Sequence, residues 1–401
     1  MNILVTSNHG NTFHPKEGAD IRKNKLIAGL ARNNRILVLE SDRYIADKPS
    51  DTSNVSVEYF HEFFIFKKPL SFLLDVNPSF LSLLYNVIKK EHIDIIQISY
   101  PYGFLATRFV LWRQKKKIPI IYDAHNVESD AVKQIPNSGW DFLAWCFLII
   151  YIPILEFLTV KFAADSIICV SNEDRVRFID KYGLDEGKIK VIPSGTTICA
   201  YDVTNNKEDL KKRWGISGKK AILFHGTYSY PPNREAFELI IDYIAPQVQA
   251  ARDNAVFLLA GNGVPVFQKE NVRSIGFVED ICLLLQTADI AIVPLLRGGG
   301  TKLKILDYLG AGLPIVTTKK GIEGIDATEG RDAIIVDEVK EKFIEAIIFL
   351  INNEEQCRTL GKNGRKLAEE RYDWEKIGES LNTYYHHIIA DSNPTSSEGN
   401  S

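Results

Sequence analysis

Residues Ala291–Val316 read AIVPLLRGGGTKLKILDYLGAGLPIV. The apolar run Ala291–Leu296 predicts a buried strand, Arg297–Gly300 a glycine-rich turn, Thr301 onward a helix, and Pro314 the opening of a second strand. Together they make an anion site. The first N–H groups of a helix have no intrahelical partner, and glycine lets a ligand approach them closely. Lys302 and Lys304 fall in the expected first helical turn. The helix dipole disfavours cations there, by a few tenths of a kcal/mol up to ~1 kcal/mol each. A bound anion would neutralise them, so a phosphate-bearing ligand is expected at this turn. A tight connection with solvated lysines is the alternative that the turn by itself leaves open.

Working outward, strands of the same apolar, β-branched kind recur on both sides. Ala221–His225, Ala255–Ala260, Val272–Ile275, Ile315–Thr317 and Ala333–Val336 alternate with helices around the turn. An earlier series comprises Ile3–Thr6, Ile36–Glu40, Val55–Phe66, Ile93–Ile98, Ile118–Tyr122, Ser166–Val170 and Ile189–Ile192. Runs without polar alternation imply parallel sheets covered on both faces. The pattern resets near Pro193-Ser194-Gly195, which predicts two doubly wound α/β domains with a cleft between them. The polar, Ser-rich end, 391–401, is expected to be disordered.

The bulk numbers agree. A chain of 401 residues favours two domains over one core. Its net charge of −3 gives no basic footprint for nucleic acid. The five cysteines (Cys146, Cys169, Cys199, Cys282, Cys357) contain no CxxC, which fits free thiols in a reducing compartment. The opening MNILVTSNHG leads straight into a strand, and no signal peptide is expected. The apolar segment Phe142–Val160 is interrupted by Pro153 and Glu156. It reads as a buried or interfacial helix pair rather than a span, which needs ~20 apolar residues. Core packing and membrane-surface contact both remain open.

The run GGGTKLKILDYLGAGLPIV resembles the signature region of GT-B retaining glycosyltransferases of family 4. Five further pieces resemble that family in the same order: Ala164–Phe178, Lys188–Thr196, Phe224–Ile240, Val272–Leu295 and Arg371–Leu381. The resemblance implies two Rossmann-like domains, 1–195 binding acceptor and 196–373 binding a nucleotide sugar. It also implies a terminal helix, 374–390, that crosses back to the first domain.

The family pattern carries two glutamates, which fall on Gly299 and Asp307 here. Asp307 is thereby implied to hold the nucleotide ribose, although it is one methylene shorter; an ion pair with Lys304 is the competing reading. With Gly299 in place of the first glutamate, backbone N–H groups of Gly299, Gly300 and Thr301 are expected to face the donor. Lys304, supported by Lys302 or Arg297, is implied to stabilise the leaving diphosphate. His125 in DAHNVE matches the family's active-site histidine, with Asn126 and Glu128 beside it. Gly18 closes a loop, Ser7–Gly18, that matches the mobile loop over donor and acceptor. Gly226 and Asn233 are implied to border the phosphates (Asn233 also reads as a helix cap), and Gly276 and Phe277 the base.

The implied activity is transfer of a sugar from a nucleotide-diphosphate donor to an acceptor hydroxyl, with retention. No DxD pair is present, so no metal and no other cofactor is expected. A nucleotide-sugar epimerase or hydrolase of the same fold, and a catalytically silent binding subunit, are the rival readings. The aromatic stretch Tyr59–Phe72 and the segment Phe142–Val160 suggest a lipid-linked or glycan acceptor, peripheral membrane contact and a cytoplasmic location.

Overall fold

The computed structural model describes residues 1–7, 11–15, 18–45, 54–65, 68–134, 142–198 and 207–392. The chain divides into two compact units, Met1–Pro193 with Trp374–Ser401, and Ser194–Asp373.

The first unit contains strands β1 (Asn2–Ser7), β2 (Arg35–Ser41), β3 (Val55–Phe60), β4 (Phe64–Ile65), β5 (Lys68–Pro69), β6 (Ile95–Ser99), β7 (Ile120–Ala124), β8 (Ser166–Cys169) and β9 (Ile189–Val191). Seven form one parallel sheet in the order β3-β2-β1-β6-β7-β8-β9. The strand expected over Val55–Phe66 stops at Phe60, and β4 and β5 make a separate antiparallel ribbon. Side chains divert the chain there: His61 N–H donates to the Ser79 hydroxyl, and the Glu62 carboxylate accepts from Ser41 and Ser71.

Apolar residues of β1, β2, β6 and β7 point to both faces. Leu4, Leu39, Ile96 and Tyr122 enter one core, and Ile3, Val5, Val38 and Ile95 the other. That second core is completed by the terminal helix Trp374–Ser392 through Trp374, Ile377, Leu381 and Tyr385. The terminal helix lies against the helix Gly18–Ala31. A Cβ added to Gly378 would stand 3.0 Å from the Gly29 Cα, so glycine at both positions permits this approach. Tyr385 also donates to the Gln97 amide oxygen at 2.8 Å inside the core.

The apolar segment is one helix, Phe142–Leu158, with Pro153 inside it, continuing into a single π-helical turn, Thr159–Ala163. The expected break into a helix pair is absent. Trp145–Ala163 is long and apolar enough to cross a membrane by length and composition, and 33% of it is buried. Its buried Glu156 accepts hydrogen bonds from the Tyr122 and Tyr182 hydroxyls and from the Glu128 and Ser129 N–H groups, fixing the helix to the unit.

The second unit contains β10 (Lys220–His225), β11 (Ala255–Ala260), β12 (Phe267–Lys269), β13 (Val272–Gly276), β14 (Ile290–Val293), β15 (Ile315–Thr318) and β16 (Ile334–Val336). They form one sheet in the order β12-β13-β11-β10-β14-β15-β16, parallel except for β12. Cys146, Cys169 and Cys357 are free thiols, whereas Cys282 is disulfide-bonded, against the expectation of free thiols throughout.

Candidate functional site

In each unit the order of the parallel strands reverses, between β1 and β6 and between β10 and β14. Open α/β sheets take ligands at the carboxyl ends of the strands at such a point. In the second unit those ends are His225-Gly226, where β10 closes, and the glycine turn after β14.

Gly298 (φ 120°) and Gly300 (φ 64°) adopt conformations that side chains resist, while Gly299 between them is exposed and lies outside that region. The following helix is Leu303–Gly310, starting two residues later than expected, with Lys302 at its cap. Lys302 turns back on the loop. Its Nζ donates to the carbonyls of Gly300 at 2.7 Å and Gly298 at 3.4 Å, and lies 3.6 Å from the Glu323 carboxylate. It braces the turn instead of presenting a charge to an anion.

Lys304 does what Lys302 does not. Its Nζ donates to the Asn233 amide oxygen at 2.7 Å and sits 4.2 Å from the centre of the Phe224 ring. The hydrogen-bond partner is a neutral amide, so nothing in that bond offsets the charge. Burial, and then the neighbouring Lys302, bring the Lys304 pKa down to about 7. Lys302 and Lys304 are 8% and 9% exposed, which overturns the reading of solvated lysines.

Gly226 adjoins both partners: a Cβ there would stand 2.7 Å from Lys304 Nζ and 2.8 Å from Asn233 Nδ2. Asn233 is not a helix cap, because the helix Pro231–Leu239 is preceded by Tyr230. The Asn233 Nδ2 donates to the Thr227 carbonyl at 2.9 Å, which turns its oxygen toward Lys304.

Asp307 lies one turn beyond Lys304 but does not form the competing ion pair. Its Oδ1 accepts from the Thr196 hydroxyl at 2.8 Å. Its Oδ2 lies 4.0 Å from Nε2 of His225. Arg297 is exposed and its guanidinium pairs with Glu235, with Nε 2.8 Å from Oε2, so it is engaged away from the turn. The Tyr230 hydroxyl lies against the turn, where a Cβ added to Gly298 would stand 3.0 Å from it. The Thr301 hydroxyl oxygen is buried with no hydrogen-bond partner among the described residues. Two strands away, Gly276 (φ 72°) ends β13 and leaves Phe277 71% exposed beside it, an open aromatic face.

In the first unit His125 follows β7. It is buried, its Nε2 lies 3.7 Å from the Asp123 carboxylate, and its ring stacks on Tyr100 at 5.0 Å and 19°. Tyr100 is held at φ 65° just before Pro101, a conformation costly for a bulky residue. Asp123 is fully buried and bonded by Arg22 at 3.0 Å and Gln97 at 3.1 Å. Burial would raise its pKa, but Arg22 and then His125 outweigh burial and hold it below the usual carboxylate range. Asn126 is half-buried just after His125; burial, reinforced by Glu156, pushes the Glu128 carboxyl up to about 8. Gly18 is exposed at the start of its helix. Part of the Ser7–Gly18 loop, including His9, lies outside the described residues. Thr12 N–H, in the described part, donates to the buried Glu40 at 2.8 Å.

Two family profiles match this chain: Glycosyltransferase Family 4 over residues 24–198 and Glycosyl transferases group 1 over residues 219–353. The chain belongs to the family 4 glycosyltransferases. Spore coat protein SA of Bacillus subtilis is 24% identical over 55% of this chain and 64% of its own length. The GDP-mannose-dependent monoacylated alpha-(1-6)-phosphatidylinositol monomannoside mannosyltransferase of Corynebacterium glutamicum is 26% identical over 47% of this chain and 54% of its own. The chain thus spans between half and two thirds of these two relatives. The sucrose-phosphate synthase of Thermosynechococcus elongatus aligns with a TM-score of 0.74 over 97% of this chain and 99% of its own, at 17% identity. That likeness shows the GT-B fold.

Within this family 4 member the donor-side residues separate into groups. Gly226, Asn233 and Lys304 meet at one point, with His225 and Asp307 adjoining. Lys302 and Arg297 are turned to other partners. Sequence reasoning passed over His225, Thr196, Tyr100 and the Arg22–Asp123 pair. His225 carried a signal, since it immediately precedes a glycine already assigned to the donor. The others carried none: Arg22 and Asp123 are 101 residues apart.

Proposed function

We propose that this protein transfers a glycosyl group from a nucleotide-diphosphate sugar to an acceptor hydroxyl, with retention and without a metal ion. The observation that carries the reading is Lys304, a buried ammonium bonded to a neutral amide beside Gly226. A diphosphate supplies the charge that this site lacks, and the ammonium stabilises the negative charge that develops as the diphosphate leaves. In the second unit Asp307 takes the nucleotide ribose and Phe277 lies along the base; the first unit, which holds His125, binds the acceptor. A GDP-mannose-dependent relative with a phosphatidylinositol mannoside acceptor supports a nucleotide-sugar donor and a lipid-linked acceptor.

The proposal extends to glycan or glycolipid synthesis at the cytoplasmic face of a membrane. Phe147, Ile150, Ile154, Phe157 and Phe162 are exposed along the apolar helix and its π turn. The helix Phe104–Gln114 adds Phe109 and Trp112, and is tied to that turn by Arg108 Nε donating to the Ala163 carbonyl at 2.6 Å. Arg113, Lys115 and Lys117 are exposed nearby in sequence and suit anionic headgroups.

A thermal-shift panel of UDP-, GDP-, ADP- and CDP-sugars identifies the donor, since a ligand at a hundredfold excess over Kd adds ~2.7 kcal/mol. Transfer with that donor is then followed by NMR of the anomeric proton, with and without EDTA. If Lys304→Ala and His125→Ala both leave transfer intact, the site is wrong. Flotation with phosphatidylglycerol vesicles tests the membrane part; a protein that stays with the soluble fraction removes it.

A further inference from the structure

The donor site holds a histidine that no family motif accounts for. His225 closes β10, its backbone N–H donates to the Tyr308 hydroxyl at 3.0 Å, and its ring meets the Tyr308 ring edge-on at 5.1 Å. These contacts fix the imidazole. Its Nε2 is buried and has no hydrogen-bond partner among the described residues. A buried polar atom without a partner costs free energy, so such an atom in a ligand site marks a contact that the ligand completes.

Asp307 Oδ2 lies 4.0 Å from this Nε2. That is too long for a direct hydrogen bond. It is the separation that one hydroxyl oxygen spans when it sits about 2.8 Å from each side. The other Asp307 oxygen already accepts from Thr196 at 2.8 Å, which orients the carboxylate. A carboxylate only accepts, whereas a neutral imidazole can offer Nε2–H. Burial and the Lys304 charge keep His225 neutral, with its pKa lowered to about 3.

We propose that His225 and Asp307 grip a single hydroxyl of the donor's ribose, the hydroxyl donating to Asp307 Oδ2 and accepting from His225 Nε2–H. This rests on the reading of Asp307 as the ribose ligand. It accounts for the aspartate: the side chain is one methylene shorter than glutamate, and the imidazole closes on the hydroxyl from the other side. His225 is then a specificity residue for ribonucleotides, distinct from the diphosphate contact at Lys304.

The test is calorimetric. UDP, GDP, ADP and CDP are screened, and the tightest is compared with its 2′-deoxy and 3′-deoxy forms on wild type, His225→Phe, His225→Gln and Asp307→Ala. His225→Phe keeps a ring against Tyr308 and removes the nitrogen. The expected result is a loss of about three- to tenfold for the ribonucleotide, no further loss for one deoxy form, and partial recovery in His225→Gln. Equal losses for ribo and deoxy forms in both His225 variants overturn the proposal. If wild type and Asp307→Ala bind ribo and deoxy forms alike, the ribose reading of Asp307 fails with it. If Asp307→Ala abolishes the discrimination and both His225 variants retain it, only the histidine's part fails.

Discussion

The Lys304 ammonium donates to the Asn233 amide oxygen at 2.7 Å, at the centre of the proposed donor site. They place a buried cation against a neutral group, an arrangement that costs stability until an anion arrives.

Replacing that cation with an apolar residue should therefore separate stability from function. Lys304→Met is expected to raise the unfolding free energy of the ligand-free protein by roughly 0.5–2 kcal/mol. The same change should weaken nucleoside diphosphate binding by about tenfold or more, the worth of a charged hydrogen bond. Denaturant titration and calorimetry read the two effects, and a destabilised variant would contradict the first.

The pH dependence has a defined sign. The folded pKa of Lys304, about 7, lies below its ordinary value of 10.5, so between these limits the unfolded chain binds more protons. This residue's contribution to stability rises with pH across that window, and Lys304→Met should remove that part of the slope. Donor binding runs the other way, since it needs the charged form. Nucleoside diphosphate affinity should fall as pH rises above about 7, with proton uptake on binding. Calorimetry in buffers of different ionisation enthalpy measures that uptake.

Gly226→Ala introduces a Cβ 2.7 Å from Lys304 Nζ and 2.8 Å from Asn233 Nδ2. The lysine end can move, so the fold should survive while the diphosphate contact is displaced. Unchanged circular dichroism with weakened donor binding is the expected pair of readings.

Gly378→Ala should act on stability instead. The Cβ would meet the Gly29 backbone at 3.0 Å, and backbone in a packed helix yields little. A loss of about 1–3 kcal/mol is expected, as for other overpacked contacts. Thermal unfolding measures it; an unchanged midpoint would show that the terminal helix can shift.

Arg22→Ala strands the buried Asp123. Breaking a buried pair from one side costs about 3–5 kcal/mol. The Asp123 pKa is lowered in the folded protein, so wild type should lose stability as acid protonates that carboxyl, and the variant should show less of that acid-side slope.

The fold and the position of the glycine turn were legible in the sequence. Unbroken β-branched and apolar runs such as Ala255–Ala260 and Ile290–Val293 read as strands buried on both faces, and GGG before a helix reads as a tight turn that a ligand can approach. Which lysine serves that turn was decided by tertiary structure. Lys302 and Lys304 are equivalent in one dimension, but one caps the helix in extended conformation and the other lies in its first turn, so they face different ways. One meets the loop carbonyls and Glu323, the other meets Asn233, 71 residues away. His225 beside Asp307 and Arg22 beside Asp123 are likewise products of strand order and helix packing. Local periodicity encodes which residues are buried, and only the closed fold decides which buried polar groups meet.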